Sequence, residues 1–349
     1  MNIDEAIKDA ALDPQDFLGV VERFSEQFEW ALDNILEPSM IDAGRIDSIA
    51  ILGMGGSGIS GDIVRATIGP RSRLNVQTVR GYELPGWVGE RTLVLAVSHS
   101  GNTAETLATF DAAQRCGAQI ISIASGGKLA EISGREGLPL VTFPGTYQPR
   151  ASLGYLSLPQ LLICERLGLL DGFTRDLNET LDLVKRRSKE WGRSAPIAEN
   201  PAKQLAQALV DRLPIIYASD GPGEVAAYRF KCQLNECAKT QSYSVTFPEL
   251  DHNEIVGWTG PGPRARRDST VVVFRAEGRP EMVRRVDETL SLMRDGGVDV
   301  REVMSEGRSP LARLMDLIYL GDFTATYLAL ATGVDPTPVA IISELKSRL

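Results

Sequence analysis

Histidine is nearly absent: the 349 residues include only His99 and His252. A zinc site built on several imidazole ligands is thereby nearly excluded. Cysteine is also scarce. Cys116, Cys164, Cys232 and Cys237 form no C-x-x-C pair, and each lies in an apolar or helical stretch, so buried thiols in a reducing compartment are expected. Positive charge is in deficit, with 37 Lys and Arg against 46 Asp and Glu and a net charge of −9. That balance argues against a nucleic-acid or anionic-membrane surface, while a local pocket for a small anion remains open. Apolar runs are interrupted within about ten residues, short of a membrane span. The N-terminal stretch Met1-Asn-Ile-Asp-Glu-Ala6 is acidic and has no apolar signal core, which places the protein in the cytoplasm. What is present, 43% apolar and 24% charged residues, suits an ordinary globular chain long enough for two domains.

Glycine is concentrated in one place, Gly53-Met-Gly-Gly-Ser-Gly58. An apolar run over 49–52 reads as a buried strand, 53–58 as a tight turn and 59–68 as a helix. Glycines let the backbone approach a ligand, and the helix N-terminus offers unpaired N–H groups and a positive dipole end. Gly56 and Ser57 are therefore candidates to cradle a phosphate. The same letters fit G-x-G-x-x-G, whose dinucleotide reading wants an acidic residue about 20 positions on. Here the next strand ends in Arg80, which suits a 2′-phosphate better than a ribose. NADP stays an alternative at this point, as does a purely structural turn.

The chain then alternates. Strands are expected at 49–52, 74–79, 93–97, 119–123 and 140–143, with helices at 59–68, 103–116 and 128–134. A leading helix is expected from an Asp13-Pro14 start through the apolar positions 17–35 to Pro38. Helices over 152–170 and 175–193 bridge to a second alternation: strand 215–218, helix 223–239, strand 270–274, helix 282–293, strand 298–303 and helix 311–330. Continuous apolar strands between helices predict an α/β protein with mostly parallel sheets covered on both faces. The domains are drawn at 1–150, a bridge at 151–200, and 201–349. Residues 260–268, rich in Pro, Gly and Arg, read as a mobile, solvated loop.

A second polar cluster, Ser98-His-Ser-Gly-Asn-Thr103, follows a strand and opens a helix. Ser98, Ser100 and Thr103 are placed to donate to the anion that Ser57 faces; the plain alternative is an N-cap by Asn102 or Thr103. These two stretches resemble the sugar isomerase (SIS) family. Leu234-Asn-Glu-Cys-Ala-Lys239, the segment 247–258 around Glu249-Leu-Asp-His-Asn-Glu254, and Gly333-Val-Asp-Pro-Thr-Pro338 narrow the resemblance to the bifunctional phosphoglucose/phosphomannose isomerases. It spans both halves of the chain.

The resemblance implies two SIS-type αβα domains and an aldose–ketose isomerase. Such an enzyme interconverts fructose 6-phosphate with glucose 6-phosphate, mannose 6-phosphate or both, through an enediol and without cofactor or metal. Glu236 matches the catalytic base, and His252 the histidine that assists ring opening. In the family that histidine comes from the neighbouring subunit, which implies a homodimer with shared active sites. Arg150 matches the group that stabilises the enediolate, Thr337 a pocket position that leaves room for either C2 epimer, and Lys346 an active-site lysine. Read without the family, Glu236 is a helix glutamate paired with Lys239 or Arg229, His252 a surface loop residue, Arg150 a residue beside a helix start, and Lys346 a helix-end lysine. His99 departs from relatives that carry an aromatic residue there. The rival functions are a non-catalytic sugar-phosphate sensor and an NADP-linked oxidoreductase.

Overall fold

Two parallel sheets organise the chain. The computed structural model describes residues 3–219, 221–260, 264–275 and 278–348. One compact unit is Phe24–Leu181, and the other is formed by the segments before and after it. The first unit holds β1 (Ser48–Leu52), β2 (Asn75–Val79), β3 (Thr92–Ser98), β4 (Gln119–Ala124) and β5 (Leu140–Thr142), all parallel in the order β2-β1-β3-β4-β5. β1 and β3 are buried along their whole length because helices cover both faces, which is why they read as unbroken apolar runs. The edge strand β2 alternates instead, exposing Asn75 and Gln77.

The helices of this unit are α1 (Phe24–Asp33), α2 (Gly55–Ile68), α3 (Ala104–Arg115), α4 (Gly127–Glu136) and α5 (Leu153–Arg166), after which α6 (Phe173–Trp191) begins. On one face of the sheet Val94, Ala96 and Ile120 pack with Phe110 and Ala113 of α3 and Leu129 of α4. Each large side chain buried there contributes about 1.5–3 kcal/mol.

Three expectations are corrected. The helix expected at 59–68 starts at Gly55, so most of the glycine turn is the helix's own first turn. The leading helix is broken into Phe17–Glu22 and α1, with Arg23 between. Its start is displaced too. The Asp13 carboxylate accepts from the Phe17 and Leu18 amides at 2.7 and 2.9 Å, and left-handed Asp16 caps Gly19, so the helix opens after Asp16 and not at Pro14. Apolar periodicity runs through the break, so it gave no sign of it.

The second unit contains β6 (Leu213–Ser219), β7 (Tyr243–Phe247), β8 (Ser269–Arg275) and β9 (Val300–Met304), parallel in the order β7-β6-β8-β9. This repeats the first sheet's strand order, one strand short. β7 is a strand that the alternation pattern did not mark. Its longer helices are α7 (Pro201–Leu209), α8 (Pro222–Glu236), α9 (Pro280–Asp295), α10 (Pro310–Ala331) and α11 (Ala340–Ser347). Length and composition alone would let α10 cross a membrane, against the sequence expectation, but its apolar window is wholly buried. Its two acids are paired, Asp316 with Arg187 and Asp322 with Arg229, as befits the core helix of this unit. Of the expected 260–268 loop, 261–263 lie outside the described residues, and Arg264–Asp268 is a short helix leading into β8. Asp220, between β6 and α8, also lies outside them.

Candidate active site

β1 lies between β2 and β3, so the chain leaves it in opposite directions on its two sides. In open parallel sheets ligands bind outside the carboxyl ends of the strands at such a point. Here that place holds the N-termini of α2 and α3. Their N-cap residues, Met54 and Thr103, make no side-chain capping bond. Asn102, the other capping candidate, instead accepts the Lys128 amide at the start of α4 at 3.1 Å. First-turn N–H groups and positive dipole ends are thus presented by both helices, the arrangement that favours an anion.

Hydroxyls surround them. The Ser57 Oγ accepts the His99 amide at 3.2 Å, joining the two stretches. Ser98 Oγ and Thr103 Oγ1 are 2.9 Å apart, and Ser100 Oγ accepts the Asn102 amide at 3.2 Å. Gly101 has φ 67° and packs so closely on the α4 loop that a Cβ would sit 1.8 Å from the Gly126 carbonyl oxygen. At Gly56 a Cβ would meet the Pro149 oxygen at 2.9 Å, so glycine there admits the turn Pro149–Ala151 that carries buried Arg150. The structure therefore brings Gly56, Ser57, Ser98, Ser100, Thr103 and Arg150 together at one sheet edge. Sequence reasoning gave Ser152 no role, yet its Oγ lies 3.1 Å from His99 Nε2. The His99 ring packs edge-on to Phe143. Burial pushes its pKa below the ordinary value, against a hydrogen bond with the Tyr147 backbone that works the other way. Arg80, at the end of β2, is held by Asp62 of α2, so a paired arginine stands where a dinucleotide site wants its ribose acid.

In the second unit Glu236 is the last residue of α8. That helix runs from the carboxyl edge of its sheet back to the amino edge, where Glu236 lies half-buried. Lys239 follows with φ 53°. Its Nζ donates to the backbone oxygens of Glu236 at 2.8 Å, Cys237 at 3.3 Å and Asp335 at 3.0 Å. The Asp335 carboxylate accepts the amide of buried Thr337 at 2.8 Å. Glu236 and the Thr337 turn are thus joined through Lys239, which the sequence offered only as an ion-pair partner for Glu236. Arg229 is engaged by Asp322. Lys346 sits on exposed α11.

His252 is elsewhere. It lies in the turn Glu249–His252, past the carboxyl end of β7, and is exposed. The five residues of β7 separate the two sheet edges by about 16 Å, so one chain does not bring His252 to Glu236. The turn itself is pinned. Glu254 accepts from the Tyr217 hydroxyl, which accepts from the Trp258 indole, both at 2.9 Å, while Asp251 is held by Arg285 and Thr289.

Among the described residues no group of three or more His, Cys, Asp or Glu side chains is placed to hold a metal ion. None of the four cysteines is in a disulfide; Cys164 and Cys237 are buried and Cys116 and Cys232 half-buried. Burial pushes the Cys164 thiol up to about 12.

This strand order with twin uncapped helix starts is the architecture of a SIS-domain protein, and comparison agrees: residues 44–131 match the SIS domain. Residues 198–349 match the bacterial phospho-glucose isomerase C-terminal SIS domain. The chain is 38% identical to the bifunctional phosphoglucose/phosphomannose isomerase of Caldicellulosiruptor bescii, over 88% of this chain and 91% of that one. To the enzyme of that name from Aquifex aeolicus it is 34% identical, over 95% and 97%. The chain belongs to the bifunctional phosphoglucose/phosphomannose isomerase family. Among solved structures, tagatose-6-phosphate ketose/aldose isomerase from Escherichia coli shares the fold, with a TM-score of 0.65 at 16% identity over 96% of this chain and 94% of that one.

Proposed function

We propose that this protein is an aldose–ketose isomerase acting on phosphorylated hexoses, interconverting fructose 6-phosphate with glucose 6-phosphate, mannose 6-phosphate or both. The observation that carries the reading is near-full-length similarity to relatives bearing that name. The uncapped, hydroxyl-lined starts of α2 and α3 suit the phosphate. Aldose–ketose exchange needs a base that reaches C1 and C2, a donor for ring opening and positive charge near the enediolate. Glu236 is assigned the proton transfer, His252 the ring opening and Arg150 the enediolate charge, with Thr337 and Lys346 in supporting contact with the sugar. Placement of Glu236 and His252 at opposite edges of one sheet supports a homodimer in which each site takes its histidine from the partner. Exposed Ile341, Ile342 and Leu345 on α11 offer apolar surface for such an assembly. Four cysteines held as thiols are in keeping with a cytoplasmic setting.

The test is conversion of fructose 6-phosphate in D₂O with EDTA present, followed by NMR. Glucose or mannose 6-phosphate carrying deuterium at C2 is the expected result. Glu236→Gln is expected to lower turnover by about 10²–10⁴-fold, the range for a lost general base, while phosphosugar binding stays within several-fold. Binding without conversion by the wild-type chain would turn the reading to a sugar-phosphate sensor, and full activity in the variant would remove Glu236 from its role.

A further inference from the structure

We propose that Lys239 is a positioning residue for proton transfer, holding Glu236 in register with the turn that carries Thr337; the inference rests on the reading of Glu236 as the base. Lys239 follows the end of α8 with a left-handed backbone, φ 53°, a conformation that glycine or asparagine ordinarily supplies at helix ends. The reversal is closed by the Thr240 amide, which bonds back to the Leu234 oxygen at 3.0 Å. For the backbone alone, glycine would serve. What glycine lacks is the ammonium, and here it donates to three carbonyls. Two of them, Glu236 and Cys237, are last-turn carbonyls of the helix, whose partial negative charge a cation offsets. The third, Asp335, belongs to a segment almost a hundred residues further on, |i−j| = 96. That segment orders itself through the Asp335 carboxylate and the Thr337 amide. One ammonium therefore grips the main chain of the base itself and ties it to a second strand of sequence.

The consequence is chemical. An enediol is planar at C2, and the face on which the proton returns decides whether glucose or mannose 6-phosphate forms. Where the Glu236 carboxylate sits relative to that plane sets the partition. How tightly it is held sets how often the abstracted proton is lost to water before it returns. Both are ratios within one turnover, so the amount of active enzyme does not alter them.

The experiment compares wild type with Lys239→Met, Lys239→Gly and Lys239→Arg on fructose 6-phosphate in D₂O. It records kcat, KM, the epimer ratio, the fraction of product carrying deuterium, and the thermal midpoint. Met removes the charge; Gly removes it while relieving the left-handed backbone. We expect both to lower kcat by roughly 10-fold or more, with KM changed far less, as for an interaction needed chiefly in the transition state. Both internal ratios are expected to move, and Arg, which can donate to several carbonyls, to hold them near wild type. A fall in kcat with both ratios unchanged in Met and Gly marks a merely structural lysine and overturns the proposal. So do wild-type kinetics in those variants, which leave the isomerase reading intact. A wild-type chain that makes no product removes the isomerase reading and this inference with it.

Discussion

His99 is a titratable side chain beside the proposed phosphate cradle, with its amide on Ser57 and its ring nitrogen on Ser152. Its pKa is depressed mainly by burial. The folded chain therefore binds this proton less readily than the unfolded chain, and ∂ΔG/∂pH is positive between the two pKa values. Its contribution to stability is complete above the ordinary value of 6.5 and is lost as pH falls from there toward the folded value. Urea midpoints measured from pH 8 to pH 5 should fall more steeply for wild type than for His99→Gln, and parallel curves would contradict the assignment. At this scale the cradle hydroxyls were legible because serine and threonine beside glycine at a strand end have few other uses. Ser152 and Lys239 were not. The Ser152–His99 contact spans 53 positions and the Lys239–Asp335 contact 96, and no local pattern encodes a contact of that separation.

Between elements, α8 and α10 are joined by a buried ion pair. Arg229 donates through Nε and Nη2 to the two oxygens of Asp322 at 3.0 and 2.7 Å, and Gln233 adds a third donor at 2.9 Å. Both charged residues are nearly inaccessible, at 2% and 6% exposure, so neither can be rescued by water once its partner is gone. Asp322→Ala is expected to cost about 3–5 kcal/mol in chemical denaturation, because it removes the carboxylate paired with a buried guanidinium. A double change to Arg229→Met and Asp322→Leu should recover much of that loss, since an apolar pair of similar volume carries no desolvation cost. Destabilisation by the double variant equal to the single one would show that shape, and not charge, is at stake. Element types were readable because β1 and β3 are unbroken apolar runs and α3 carries its buried residues at helical spacing. Boundaries were less so: the two aspartates that displace the first helix act through backbone amides, and β7 is a five-residue, half-exposed strand with a weak apolar signal.

For the whole molecule, the decisive geometry is that Glu236 lies at the amino edge and His252 at the carboxyl edge of the same parallel sheet. A chain that used only its own residues would have to bring together side chains separated by the length of β7. The proposed two-fold dimer would meet the requirement, since a self-complementary interface can offer each protomer's histidine turn to its partner. Complementation between two inactive variants tests this arrangement. Glu236→Gln and His252→Gln are each expected to be nearly inactive when purified alone. In a heterodimer of the two, one site unites the intact glutamate of one protomer with the intact histidine of the other, and the second site has neither. Random pairing makes half the dimers mixed, so co-expressed variants should recover roughly a quarter of wild-type activity. Light scattering should give twice the chain mass of 37.9 kDa for the active species. Absence of recovery in a demonstrated heterodimer would mean that His252 serves its own chain, or that ring opening is assisted by another group. Recovery would tie catalysis to assembly: diluting the enzyme below its dimer dissociation constant should then silence it while both units stay folded.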